Sequence, residues 1–124
     1  MKPDVEKYLR MADETLREME HLMAGGFYKA VIKRAYHAMF NAASAALSSK
    51  GVQSGTRQGI VSEFNDALIK TGLIDKKFYK YFRQAFNTRT ESDDHSFASA
   101  DLRQAQTHLM RVKEFVTTCR TLCD

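Results

Sequence analysis

Residues 27–49 read FYKAVIKRAYHAMFNAASAALSS, and their apolar side chains cover most of a helical circumference. A surface helix shows one apolar stripe, whereas a helix that is apolar on most sides is buried by several neighbours. No proline or glycine interrupts the segment. It therefore predicts a long central helix around which the other elements pack.

Apolar residues elsewhere recur at steps of three and four, the spacing of one helix face. This pattern predicts helices over residues 4–24, 57–70 and 75–88, and a last one from Leu102 through Cys119. Gly25-Gly26, Gly51 and Thr71-Gly72 mark helix ends, Asp75 is a predicted N-cap, and Ser96 or Ser99 is predicted to cap the last helix.

The only proline is Pro3, and no window alternates apolar and polar residues with a period of two. A chain with so few turn-forming residues is unlike a β fold with many turns. We therefore expect an all-α fold, an up-and-down antiparallel four-helix bundle with a short extra helix, about five helices in all. At 124 residues the chain is expected to form a single helical domain, 1–124.

No apolar run approaches the roughly 18 residues needed to cross a bilayer. The N-terminal stretch MKPDVEKYLR has acidic residues where a signal peptide is apolar, so we expect a cytoplasmic protein without a membrane contact. Cys119 and Cys123 are the only cysteines, and their spacing puts both thiols on one helix face. In that compartment they are expected to be reduced and part-buried, and two sulfurs without a nearby histidine predict no metal site.

The net charge of +4 is unevenly distributed along the chain. Residues 4–20 hold six acidic against three basic residues, whereas residues 70–89 hold six basic residues against Asp75 alone. The basic segment is interleaved with aromatic residues, which is one pattern of a polyanion-binding surface. The alternative is a solvated helix face whose aromatic rings point into the core. Under the first interpretation, the RNA-binding residues are Lys76, Lys77, Lys80 and Arg83.

A polar run from Arg89 to His95 interrupts the helical pattern, with three carboxylates between the two ends. Residues six apart on an unbroken helix are about 240° apart, so the two side chains converge only if the helix breaks or a second subunit contributes. The sequence TESDD favours such a break because its side chains compete for the backbone. The alternative is a solvent-exposed helix end that carries out no chemistry.

If Arg89 and His95 converge, they suffice for RNA cleavage without a metal. Histidine can take a proton from the 2′-hydroxyl, whose oxygen attacks the adjacent phosphorus and leaves a 2′,3′-cyclic phosphate. The arginine fork fits the phosphate and stabilises its extra negative charge. Asp93 or Asp94 can hold His95 in one tautomer. No cofactor is expected, and a two-fold dimer would supply the second histidine for acid and base roles.

His37 lies in RAYHAMF, next to Tyr36. A histidine there is either a core or interface residue with its hydrogen bonds made, or a titratable group that lines the same cleft as Arg89 and His95.

Three segments together resemble a known family. RAYHAMFNAASAALSSKG (34–51), TRQGIVSEFNDALIKTG (56–72) and AFNTRTESDD (85–94) are similar, in this order, to the small stand-alone prokaryotic HEPN-domain proteins. Members typically carry R-A-Y-Y-A-M-F on the second helix, so Tyr36-His37 stands where they have two tyrosines. The resemblance covers the whole chain.

The resemblance implies a four-helix bundle that forms homodimers, with Arg–His motifs meeting across a cleft. Many members are ribonucleases with an R-x4–6-H motif, often toxins encoded beside a minimal nucleotidyltransferase antitoxin. Carried over, Arg89 takes the phosphate-binding role and His95 the acid/base role. Asp93, Asp94, His37 and Tyr36 are the supporting residues.

Two functions therefore remain open. The first is a metal-independent endoribonuclease, the toxin of a toxin–antitoxin pair. The second is a non-catalytic binding module that pairs with a nucleotidyltransferase or binds RNA or a nucleotide, and a purely structural role remains a third. Because the apolar excess of residues 27–49 exceeds what one small core needs, we also predict a homodimer that buries part of this helix or the start of the last one.

Overall fold

The fold is seen in a computed structural model that describes residues 2–53, 56–89 and 101–124. These residues form five α-helices and no strand, which confirms the all-α bundle. The helices are α1 (Pro3–Ala24), α2 (Tyr28–Ser49), α3 (Arg57–Phe64), α4 (Lys76–Thr88) and α5 (Leu102–Cys123). None of them combines the length and the apolar character that spanning a membrane requires.

Ion pairs and hydrogen bonds between helices fix the up-and-down topology. A short turn joins α1 to α2, and Glu18 pairs with Arg34 at 2.8 Å, so these two helices are antiparallel. Between the pairs Asp13–Arg120 and Glu20–Lys113, residue numbers rise along α1 and fall along α5, so α1 and α5 are antiparallel. The pairs Lys77–Glu114 and Gln84–Arg111 show in the same way that α4 and α5 are antiparallel. The four long helices therefore alternate in direction, and α3 is the short extra helix.

Helix α2 is the centre of the bundle, as its sequence predicted. Twelve of its residues are buried, among them Ala35, Ala38, Ala42 and Ala46 at intervals of three and four. The small alanine side chains let neighbouring helices approach closely on more than one side.

This burial corrects one premise of the dimer prediction. The apolar residues of α2 are covered inside a single chain, because α1, α4 and α5 all pack against it. Most of the apolar surface of residues 27–49 is therefore used within one chain, although Phe27 is 62% exposed and Phe40 is only part-buried. Exposed apolar side chains do occur at the start of α5, where Leu102 is 46% exposed and Met110 58% exposed.

The third predicted helix differs in form from the sequence expectation of one α-helix over 57–70. An α-helix ends at Phe64, and Asn65–Ile69 form a π-helical turn in which the Lys70 N–H donates to the Asn65 carbonyl across five residues. Leu68 in this wider turn and Phe64 before it are both buried. Gly72 then adopts φ +80°, a conformation that glycine reaches without strain.

The helix caps confirm one prediction and correct another. The Asp75 side chain accepts a hydrogen bond from the Lys77 N–H at 2.9 Å, as predicted for the start of α4. The N-cap of α5 is Asp101 rather than Ser96 or Ser99. Asp101 accepts from the Gln104 N–H while the Gln104 side chain accepts from the Asp101 N–H, a complete capping box.

Both cysteines lie on α5 as free thiols, Cys119 buried and Cys123 part-buried, as expected. Burial raises the pKa of the Cys119 thiol, so this sulfur stays protonated and packs as a small apolar group.

Candidate functional site

Arg89 lies at the C-terminal end of α4, where its N–H donates to the Ala85 carbonyl. Its guanidinium carbon lies 4.4 Å from the ring centroid of Phe86 and 5.1 Å from that of Tyr36. Both distances are in the range of cation–π contacts, which hold a planar guanidinium against aromatic rings. Helix α4 supplies the arginine and Phe86, three residues apart on one face, and α2 supplies Tyr36.

No carboxylate neutralises this guanidinium within the described part of the chain. The five ion pairs formed there use other cations, and the Arg89 Nε is buried without a hydrogen-bond partner among the described residues. The site therefore holds a positioned positive charge whose donors are not used in a described ion pair. Such a group is suited to bind an anion, above all a phosphate that matches the fork of the guanidinium.

Tyr36 connects this arginine to the aromatic core. The tyrosine is 1% exposed, and its ring lies 6.1 Å from Phe82, 5.7 Å from Phe86 and 5.9 Å from Phe40. The pairs 36/40 on α2 and 82/86 on α4 each have i,i+4 spacing, so each helix presents two rings on one face. This cluster fixes the ring on which Arg89 rests.

His37 belongs to the same cluster. Its ring is part-buried and lies edge-on to Tyr36, with 5.9 Å between the centroids. Arg89 and His37 thus each contact the Tyr36 ring, and these are three of the residues singled out in the sequence. The other three, His95, Asp93 and Asp94, lie outside the described residues, and their roles stay predictions.

The basic face of α4 has the layout of a solvated stripe. Lys76, Lys80 and Arg83 are exposed at i, i+4 and i+7, whereas Phe78 and Phe82 point into the core. Lys77 is engaged by Glu114 at 2.8 Å. The rings of Phe78 and Phe82 are therefore not available to stack on bases, and the exposed charges are the groups of this face that could attract RNA.

Phe86 was not among the residues predicted for the site, although its ring supports Arg89. The signal was present, since residues 86 and 89 are three apart on one helix face.

As for metals, no group of three or more histidine, cysteine, aspartate or glutamate side chains in ranges 2–53, 56–89 and 101–124 is arranged to hold an ion.

Comparisons with known proteins place these residues in a family context. The "Putative toxin MJ0142" of Methanocaldococcus jannaschii is 29% identical over 92 residues, which are 74% of this chain and 63% of that protein. A "UPF0332 protein" of Thermotoga maritima is 29% identical over 89 residues, 72% of this chain and 67% of that protein. The "UPF0332 protein PH1297" of Pyrococcus horikoshii is 32% identical over 78 residues, 63% of this chain and 55% of that protein.

The aligned regions thus span between 55% and 67% of the length of these three relatives. The family model of the HEPN domain matches residues 5–122, nearly the whole chain. The tyrosine-supported arginine and the central α2 helix both lie inside the matched range. This chain belongs to the HEPN family.

Proposed function

We propose that this protein is a metal-independent endoribonuclease of the HEPN type. The observation that carries the proposal is the placement of Arg89: its guanidinium rests on Tyr36 and Phe86 and pairs with no carboxylate among the described residues. A surface arginine with only a structural role gains little from such preorganisation. A phosphate-binding arginine gains much, because donors fixed before the reaction need no reorganisation during it.

In the proposed reaction, the phosphate at the scissile bond of RNA binds to the Arg89 guanidinium. His95 takes the proton of the adjacent 2′-hydroxyl, and that oxygen attacks phosphorus. The bond from phosphorus to the 5′-oxygen breaks, and a protonated histidine, the second one in a dimer, returns a proton to that oxygen. Arg89 stabilises the added negative charge on the phosphate oxygens, and Asp93 or Asp94 orients the imidazole.

The toxin assignment is the second part of the proposal. Its support is that two relatives, both from Methanocaldococcus jannaschii, carry the words "putative toxin" in their names. The family resemblance adds a nucleotidyltransferase antitoxin as the partner. Expression of the wild-type chain alone is then expected to arrest growth, whereas the His95→Ala chain is tolerated. Equal growth of both strains would contradict this part.

The homodimer belongs to the same proposal, and its interface is assigned to the start of α5. Because Gln84 contacts Arg111 and the two helices are antiparallel, the α5 residues before 111 lie beside the end of α4 that carries Arg89. Leu102 and Met110 are exposed apolar residues of that stretch. A second copy that covers them would bring two Arg89 side chains toward one cleft.

For the dimer, Met110→Glu is expected to convert the wild-type dimer mass into a monomer mass, since a charge buried without a partner opposes association. Light scattering in solution measures the mass. Leu73→Glu is the matched control, because Leu73 is also exposed but lies between α3 and α4, away from this stretch. A wild-type chain that is monomeric at high concentration would rule out the interface.

For the nuclease, purified protein is incubated with RNA in EDTA. The wild type is expected to cut, and His95→Ala is expected to cut about 100-fold more slowly, the size of effect that loss of a general acid or base produces. His21→Ala is the control, since His21 is an exposed histidine on α1. Intact RNA at high protein concentration, or equal cutting by the His95 variant, would reject the nuclease.

The alternative function is a binding module that holds a nucleotidyltransferase or a nucleotide without cutting. The exposed stripe of Lys76, Lys80 and Arg83 favours it, since such a face attracts an acidic surface whether or not a reaction follows. Salt-sensitive RNA binding without any cleavage in the same assay would select this function.

A further inference from the structure

A concave site is lined by Phe40, whose ring also contacts Tyr36. It is a groove of about 400 Å³ between the start of α1, the C-terminal half of α2 and the segment before α3. Tyr8 and Phe40, from two different helices, line it together with the hydroxyls of Ser44 and Ser48. Its size falls in the range of small-molecule sites.

Three hydroxyl groups that line the groove are available to a ligand. The hydroxyls of Tyr8, Ser44 and Ser48 make no hydrogen bond to any residue within 2–53, 56–89 and 101–124. By contrast, neighbouring Ser49 donates to the Ala46 carbonyl at 2.7 Å, which is the usual way a helical serine is satisfied. Aromatic side chains with uncommitted hydroxyls beside them suit a flat ring that carries polar groups at its edge.

The charged group described in the lining of the groove disfavours a phosphate. Asp4 is the charged residue among those described in its lining, and no lysine or arginine accompanies it there. A carboxylate repels an anion but accepts hydrogen bonds from N–H groups. The groove therefore fits the base of a nucleotide, in particular a base with an exocyclic amine, and not its phosphate.

The position of the groove connects it to Arg89. Phe40 lines the groove and contacts Tyr36, and Tyr36 carries the guanidinium. Ser44 is eight residues beyond Tyr36 on α2, which is about 12 Å along the helix axis. A few nucleotides cover this length, since even stacked nucleotides advance about 3.4 Å each.

We propose that this groove is a base-binding subsite, which holds an amine-bearing nucleobase of the RNA strand whose phosphate binds at Arg89. The inference rests on the proposed nuclease function for the identity of the strand. It makes the chain selective: strands with adenine, cytosine or guanine at this position bind in preference to those with uracil. The aromatic side chains supply stacking, and Asp4 accepts the amine.

The test uses nucleosides, which have no phosphate and so cannot report on Arg89. Adenosine, cytidine, guanosine and uridine are titrated into the wild-type chain while amide resonances are followed by NMR. The amine-bearing nucleosides are expected to shift the signals of Ser44, Ser48 and Gln53 and to bind about 10-fold more tightly than uridine, the discrimination of one good base contact. No shift with any nucleoside, or equal binding of all four, would overturn the subsite.

Two variants make the titration specific. Ser44→Leu fills the groove and is expected to abolish the shifts, whereas Ser62→Leu, the same change at an exposed serine of α3, leaves them unchanged. Shifts that persist in Ser44→Leu would contradict the site. Nucleoside binding in a chain that does not cut RNA would support the subsite and reject the nuclease. RNA cleavage without nucleoside binding would support the nuclease and reject the subsite.

Discussion

Arg89→Lys is expected to slow RNA cleavage by about 10²- to 10³-fold, the cost of removing one preorganised donor from a transition state. Lysine keeps the positive charge but loses the planar fork and the stacking surface. The wild-type guanidinium rests 4.4 Å from Phe86 and 5.1 Å from Tyr36, and a flexible ammonium would not be held there. The rate is measured with a defined RNA in EDTA.

Arg111→Lys is the matched control for this variant. Arg111 also lies over an aromatic ring, with its guanidinium carbon 4.7 Å from Tyr81, and it donates to Gln84. It is therefore an arginine in a similar environment but outside the proposed site, and its replacement is expected to leave the rate close to that of the wild type. If the two variants lose activity equally, the loss reflects packing and the role of Arg89 is wrong.

Phe82→Ala is expected to cost about 3–5 kcal/mol in the free energy of unfolding, the range for a buried phenylalanine that leaves a cavity. Phe82 is fully buried and contacts the rings of Tyr36, Phe64 and Phe115, with the last two centroids each at 5.4 Å. One substitution therefore removes contacts among α2, α3, α4 and α5 at once. Urea unfolding measures the change.

Phe27→Ala is the control for this prediction, because Phe27 is 62% exposed and surface changes usually stay within about 0.5 kcal/mol. A loss below about 1 kcal/mol for Phe82→Ala would mean that the aromatic cluster is not the core of the fold. The result also bears on the site, since the cavity would open beside the Tyr36 ring that supports Arg89.

The helices could be predicted from sequence because each long one follows its own apolar period. The expected range 4–24 is observed as Pro3–Ala24, and 75–88 as Lys76–Thr88. The π turn at Asn65–Ile69 was not predictable, because one extra residue in a turn depends on packing against other helices and not on local spacing. The cap Asp101 was missed because two nearby serines compete with it in the sequence.

The site was predictable only in part. The resemblance singled out Arg89, Tyr36 and His37, and the structure brings all three together. The groove beside Phe40 required tertiary structure, since Tyr8 and Ser48 are 40 residues apart in the chain. The homodimer stays a prediction, because counting the apolar residues of one helix cannot show how many neighbours a single chain supplies.

The chemical identity of the fragment ends tests the central claim most directly. If a phosphate binds at Arg89 while its neighbouring 2′-hydroxyl attacks, mass spectrometry of RNA cut in EDTA will show 2′,3′-cyclic phosphate on one fragment and 5′-hydroxyl on the next. Fragments with 3′-hydroxyl and 5′-phosphate ends, or RNA that stays uncut, would contradict it.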